Sequence, residues 1–363
     1  MDSSILYQNG DHSVTLIDIP RSIESAQGYV NARRLVSSQP LEQPYPSVEP
    51  KSAKAIASFG EVSVGDLLLS KRLHFALEEI KEAHRGPWYI QRVTENIDSG
   101  HGSKRRRLDH LAIPSVHGEE EKMIHLGLAQ LTGYKNEHST ALSVTFGTEM
   151  TVATLPPLST FVCGELEDTL GIFMSSAPKF DLIILDPPWP NRSARRKQSY
   201  DISYGTPDIR SLLTMLPIKN HLQENGLVAI WVTNKSAFHD MLIEEGGVFD
   251  QWGVKLLEEW IWLKVTSNGE PICDIDSTWR KPYEVLLLAR QTESSNRPPI
   301  QRRVIVGVPD LHSRKPNLKF LLESKIPSEY EALEIFARNL TSRWWAWGNE
   351  VLKFQTEEHW RIP

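Results

Sequence analysis

The run Leu182-Ile183-Ile184-Leu185, followed without a break by Asp186-Pro187-Pro188-Trp189, constrains this chain more than any other feature. Four consecutive apolar residues, two of them β-branched, read as a strand covered on both faces, the mark of a parallel sheet between helices. The prolines end the strand, because neither has an N–H for the ladder and both fix φ. An acid is thereby set at the carboxyl end of a buried strand, the edge where α/β sheets handle ligands.

The same grammar recurs downstream. Phe161-Val162-Cys163, Leu227 to Val232, Trp260 to Leu263, Val285 to Leu288, Val304 to Val306 and Leu333 to Phe336 are further short apolar runs. Helical stretches are expected between them near 208–223, 235–245 and 316–323. Strands alternating with helices predict an α/β fold, a doubly wound and mainly parallel sheet. Residues 151–363 hold this pattern. Residues 1–50 are weakly patterned and end in a linker with Pro40, Pro44, Pro46 and Pro50. Residues 51–150 read as a smaller, mainly helical N-terminal module with a polar basic stretch. There Ser63 and Asp66 form a capping box, and Leu69, Leu73, Leu77 and Ile80 follow at helical spacing up to Gly86-Pro87. A second helix is expected over 119–132.

Composition narrows the functional classes. Forty basic against 46 acidic residues give a net charge of −6, so nucleic acid cannot be held by overall charge and needs a local patch. The only cysteines, Cys163 and Cys273, exclude a disulfide framework and suit a reducing, intracellular compartment. The twelve histidines show no metal-ligand spacing, and no metal is expected. No apolar segment approaches the roughly 20 residues of a membrane span. The start Met1-Asp2-Ser3-Ser4 lacks the basic and apolar pattern of a signal peptide.

Asp186-Pro187-Pro188-Trp189 also suits a particular chemistry. The exocyclic amine of an amino-purine is a poor nucleophile, because its lone pair is delocalised into the ring. Two acceptors aimed at its N–H groups, the Asp186 carboxylate and the Pro187 carbonyl, would favour a pyramidal nitrogen. They would also meet the positive charge that develops there during attack on an electrophile. Pro188 keeps the backbone rigid, and Trp189 offers a ring on which a base can stack.

At these residues the chain resembles the adenine-N6 methyltransferases of the messenger-RNA type. Leu311-His312-Ser313-Arg314-Lys315-Pro316 is similar to the family's His-x-Lys-Pro segment. Glu334 to Asn339 and Trp347 to Phe354 are similar to its C-terminal cofactor segments. Lys281-Pro282-Tyr283-Glu284 and the phrase from Trp344 to Phe354 resemble the methyltransferase-like protein four branch. The resemblance spans about residues 160–355. It implies a Rossmann-like catalytic domain of permuted motif order over 151–363, and methyl transfer from S-adenosylmethionine to adenine N6. Carried over by position, Lys315 meets the donor's methionine carboxylate, and Arg338 and Asn339 bind the ribose hydroxyls. Asn349 and Glu350 hold the ribose or adenine side. Glu165, beside Leu166, stands where the family usually carries an Asp to the cofactor adenine. Asp186 belongs to both the catalytic and the cofactor-binding set.

Substrate contact is expected from the segment after Trp189. Asn191, Arg192, Arg195, Arg196 and Lys197 can clamp phosphates, and Tyr200 or Tyr204 can stack or donate a hydroxyl. The target adenine must be unpaired or flipped out. RNA is favoured over DNA, and the branch resemblance implies 2′-O-methyladenosine in small nuclear RNA. DNA adenine is the enzymatic alternative, and a catalytically inactive nucleic-acid-binding scaffold is the non-enzymatic one. Methylation of a protein Asn or Gln is disfavoured by Asp at position 186. Lys104 to Arg107 reads as a nuclear import signal or a second phosphate contact, so a nuclear location is expected, with the cytoplasm as the alternative. A protein partner is not legible.

Overall fold

The apolar runs become strands of one sheet. In the computed structural model, which describes residues 3–29, 32–46, 63–94, 124–190, 206–277, 279–291, 299–311 and 314–362, that sheet has eleven strands. In chain order they are β1 (Ile5–Gln8), β2 (Val14–Ile17), β3 (Gly133–Lys135), β4 (Thr160–Cys163), β5 (Phe180–Leu185), β6 (Leu222–Val232), β7 (Lys255–Lys264), β8 (Tyr283–Arg290), β9 (Gln301–Gly307), β10 (Ala332–Ile335) and β11 (Trp345–Gly348). Their order across the sheet is β1-β2-β9-β7-β8-β6-β5-β10-β11-β4-β3. Six of the ten pairings are parallel, including the continuous block β6-β5-β10-β11-β4. β8 runs antiparallel to both neighbours, which carries β7 back into the direction of β6.

The sheet is covered on both faces, as the unbroken apolar runs require. Along β5, Ile183 and Leu185 point to one side, where α3 (Leu166–Ser176), α4 (Thr206–Met215) and α5 (Ser236–Ile243) pack through Phe173, Leu213, Phe238 and Leu242. Leu182 and Ile184 point to the other, against Ile19, Leu318, Leu322 and Trp344. The buried Phe173 ring lies 4.1 Å from Trp347, interplanar angle 6°, which ties α3 to β11. α1 (Ile19–Ala26) follows β2 directly. α2 (Val64–Ala83) covers β2 and β9 with Leu73, Ala76, Leu77 and Ile80. Its capping box forms as the sequence reads: Ser63 Oγ accepts the Asp66 N–H at 3.1 Å, and Asp66 accepts the Ser63 N–H at 3.1 Å.

Several local expectations change. The weakly patterned N-terminus supplies β1, β2 and α1 to the central sheet. The helix expected over 119–132 is a strand at Ile124–Leu126 and one helical turn at Leu128–Thr132; residues 119–123 lie outside the described part. The helix expected over 208–223 breaks after α4, because Pro217 cannot donate to the ladder; a short turn at Ile218–His221 then leads into β6. The helix expected over 316–323 shrinks to Lys319–Leu322 with a 3₁₀ turn after it. Among the described residues no helix is long and apolar enough to cross a membrane.

Candidate active site

Parallel pairing places the carboxyl ends of β6, β5, β10, β11 and β4 on one edge. Asp186 leaves β5 there, on the same side as Ile184, and faces a cleft also lined by Trp231, Lys315, Glu334, Arg338 and Asn339. Arg338 and Asn339 follow β10, Asn349 and Glu350 follow β11, and Glu165 and Leu166 follow β4. The expected residues thus form a row along four neighbouring strand ends. Three strand spacings of about 4.8 Å make that row about 14 Å long.

The Asp186 carboxylate is held by a cation. Lys315 Nζ lies 3.0 Å and 3.2 Å from its two oxygens, and Arg338 Nη2 lies 3.7 Å away. Lys315 also reaches Glu284 Oε2 at 3.1 Å, and Lys264 pairs with the other side of that carboxylate. Burial alone would raise the Glu284 pKa, but the two lysines outweigh it and hold it at about 2. Burial would likewise depress the Lys315 ammonium, and Asp186 and Glu284 lift it above its ordinary value. Glu334, on β10, behaves oppositely. Burial and the nearby Asp186 charge push it up to about 7, with Arg338 offsetting only part. A carboxyl that titrates near neutrality inside a cleft is a functional mark in its own right. The buried Phe354 ring steadies the cationic wall, with the Arg314 and Arg338 guanidinium groups 4.3 Å and 5.7 Å from its centroid.

The rest of the motif is braced against the sheet. Trp189 donates its ring N–H to the Trp231 carbonyl at 2.7 Å and packs on Phe238 with centroids 4.9 Å apart. Its backbone N–H donates to the Pro187 carbonyl at 2.8 Å. That carbonyl keeps its second lone pair. Farther along the row, Asn349 Nδ2 donates to Glu165 Oε1 at 2.7 Å, which joins the ends of β11 and β4. Glu350 pairs with Lys353 at 2.5 Å. Gly348 turns at φ +150°, and a Cβ there would come within 3.2 Å of the Phe336 backbone; only glycine lets β11 leave the sheet at this point.

The residue types along the row fit S-adenosylmethionine. Carboxylates and an amide at Glu165, Asn349 and Glu350 suit hydroxyl and amine donors, and the cleft acids suit a cationic sulfonium. Lys315 has three N–H donors, and Asp186 and Glu284 already engage it. Asn191, Arg192, Arg195, Arg196, Lys197, Tyr200 and Tyr204 lie outside the described residues, as do His312, Ser313 and Lys104 to Arg107. Two site residues carry no role in the sequence reading. Glu334 is a lone acid inside an apolar strand, a signal that was there to use. Glu284 opens an apolar strand at the same edge, but only the sheet order shows that it meets Lys315. Among the described residues no group of three His, Cys, Asp or Glu could hold a metal ion.

Comparison with known proteins follows the same residues. The MT-A70 family model matches residues 180–350, from β5 to the end of the row. A protein of Cryphonectria parasitica named N6-methyladenosine RNA methyltransferase MTA1 is 40% identical over 98% of this chain and 94% of its own length. The chain belongs to the MT-A70 family. The MTA1 of Pyricularia oryzae is also 40% identical, over 99% of this chain and 97% of that protein. Human METTL4, named an N(6)-adenine-specific methyltransferase, is 38% identical over 55% of this chain and 43% of its own length. This MT-A70 protein is a methyltransferase, and its α/β sheet is the family's Rossmann-like scaffold.

Proposed function

We propose that this chain transfers a methyl group from S-adenosylmethionine to the N6 nitrogen of adenine in RNA. The observation that carries the reading is the Asp186 carboxylate, fixed by Lys315 and Arg338 at the carboxyl end of β5 and opening on the cleft. A fixed carboxylate accepts one N–H of the exocyclic amine, and the free lone pair of the Pro187 carbonyl accepts the other. The acceptors are set in place before charge develops on nitrogen, so little reorganisation accompanies attack. When bound, the donor supplies an electrophilic methyl. In this reading Arg338 and Asn339 bind its ribose, Glu165, Asn349 and Glu350 its adenosine end, and Lys315, whose N–H groups it shares with Asp186 and Glu284, its carboxylate.

RNA is favoured over DNA because the relatives that cover nearly the whole chain are named RNA methyltransferases. The METTL4-like phrases at Lys281 to Glu284 and Trp344 to Phe354 support 2′-O-methyladenosine in small nuclear RNA as the finer target. The basic run Lys104 to Arg107 supports a nuclear location. The test is a competition: single-stranded RNA, its 2′-O-methyladenosine form and matched DNA share one reaction with labelled donor, and product nucleosides are identified by mass. Label in N6-methylated ribonucleoside supports the reading. Label confined to deoxyadenosine overturns the choice of RNA, and donor binding without any labelled nucleoside overturns nucleic acid as the substrate.

A further inference from the structure

The loop between β7 and β8, described over residues 265–277 and 279–282, rises from the catalytic edge, because β7 ends there at Lys264 and β8 starts there at Tyr283. It is firmly anchored. Ser267 N–H donates to the Leu41 carbonyl and Tyr45 N–H to the Ile272 carbonyl, both at 2.8 Å. Gly269, at φ +77°, lies directly on the Trp88 ring, which comes within 2.2 Å of where a Cβ would stand. Cys273 and Ile275 are buried. Ser277 Oγ accepts the backbone N–H of Trp279 and of Arg280, each at 3.2 Å.

This anchored loop presents a large aromatic ring to solvent. Trp279 is 54% exposed, Arg280 beside it is exposed, and the Arg280 guanidinium sits 5.1 Å over the ring of Tyr45, itself 45% exposed. Two of the loop's acids have partners within the chain: Asp276 bonds Ser70 and faces His74 on α2, and Asp274 accepts the Asp276 N–H at 2.9 Å. Glu284, which meets Lys315, is only five residues from Trp279, a reach of at most about 18 Å. A few nucleotides of a single strand cover that distance.

We propose that Trp279 and Arg280 form a platform for the single strand beside the target adenine: Trp279 stacks one flanking base and Arg280 meets its phosphate. The inference rests on the nucleic-acid reading above. Stacking on an exposed, preorganised ring needs no base-specific contact, and the loop has little freedom to lose on binding.

The test uses the full chain and a short fluorescent single-stranded RNA with one adenosine. Trp279→Ala should weaken binding about tenfold to a hundredfold, and Trp279→Phe should recover most of the loss. Arg280→Ala should lower the slope of log affinity against log salt by about 0.7. An abasic site at one flanking position should weaken the wild type as much as Trp279→Ala does, and should cost the Ala variant nothing further. Unchanged melting temperature and donor affinity show that the variants fold. Equal RNA affinity for wild type and Trp279→Ala overturns the platform while leaving the methyltransferase reading intact. Penalties that simply add with the abasic site also overturn it. Loss of self-association or of a protein contact with RNA affinity unchanged makes this a protein-docking face, which overturns it too. A wild type that neither binds nor methylates RNA removes both proposals.

Discussion

Lys315→Met keeps the length of the side chain and deletes the charge between two carboxylates. Asp186 and Glu284 each lie about 3 Å from Nζ, at 3.0 Å and 3.1 Å, and their side chains are 18% and 24% exposed. The two facing oxygens are then no more than about 6 Å apart. At an effective dielectric constant of about 20, the attraction lost at about 3 Å is about 5.5 kcal/mol, or about four pH units, and the carboxylate repulsion left unopposed at about 6 Å is about 3 kcal/mol, half of that. The acid limb of the pH–rate profile, measured at saturating donor, should therefore move up by as much as about four units. The melting temperature should also fall, since removing one partner of a partly buried pair strands the other. Adding Glu284→Gln takes away the repulsion but does not restore the lysine, so the double variant should return the limb about half of the way. A Lys315→Met enzyme whose acid limb stays in place and whose donor KM alone rises would refute this reasoning. Lys315 would then serve the donor's carboxylate and not the electrostatics of Asp186.

Three further outcomes follow from the geometry. Glu334, ordinarily near 4.5 and here at about 7, is protonated in both folded and unfolded chains at about pH 4; above about pH 7 its ionised form costs the fold up to about 3 kcal/mol. Glu334→Gln should raise the melting temperature at about pH 8, leave it unchanged at about pH 4, and remove any proton release seen by calorimetry when the cationic donor binds near neutrality. Glu284, held at about 2, acts in the opposite sense: its stabilising contribution is complete above about pH 4.5 and is lost as pH falls through about 2, so Glu284→Gln should flatten acid unfolding monitored by circular dichroism. Phe173→Ala, which removes the ring stacked on Trp347, should cost about 3–5 kcal/mol in urea unfolding with no change in the acid limb of the rate profile.

Much of this molecule is readable where cause and effect are local. An unbroken apolar run needs cover on both faces, so Leu182 to Leu185 specifies a central strand, and the prolines after Asp186 specify where it ends. Ser63 and Asp66 meet each other within one helical turn, so the start of α2 is equally plain. β1 and β2 were opaque because four-residue strands have too short a period to register, and β2 finds its partner, β9, almost three hundred residues away. The break at Pro217 was visible as a proline, yet the apolar residues on both sides kept helical spacing. At the site, the residues of the row from Glu165 to Glu350 come from the family resemblance, and only the sheet order sets them side by side. The ion network is likewise a product of the fold: Glu284 joins Lys315 only because β8 runs antiparallel beside β6, and Glu334 titrates near neutrality only because the sheet buries it near Asp186.

The role of Asp186 is tested by single-turnover methyl transfer to RNA by wild type and by Asp186→Asn, with donor affinity measured on the same preparations by calorimetry. The amide keeps the shape of the side chain, gives up the charge and puts a donor where an acceptor is needed. The wild type should yield N6-methyladenosine, and the variant should lose at least about a hundredfold in rate with donor binding within a few-fold of wild type. Transfer at the wild-type rate by Asp186→Asn would contradict that role.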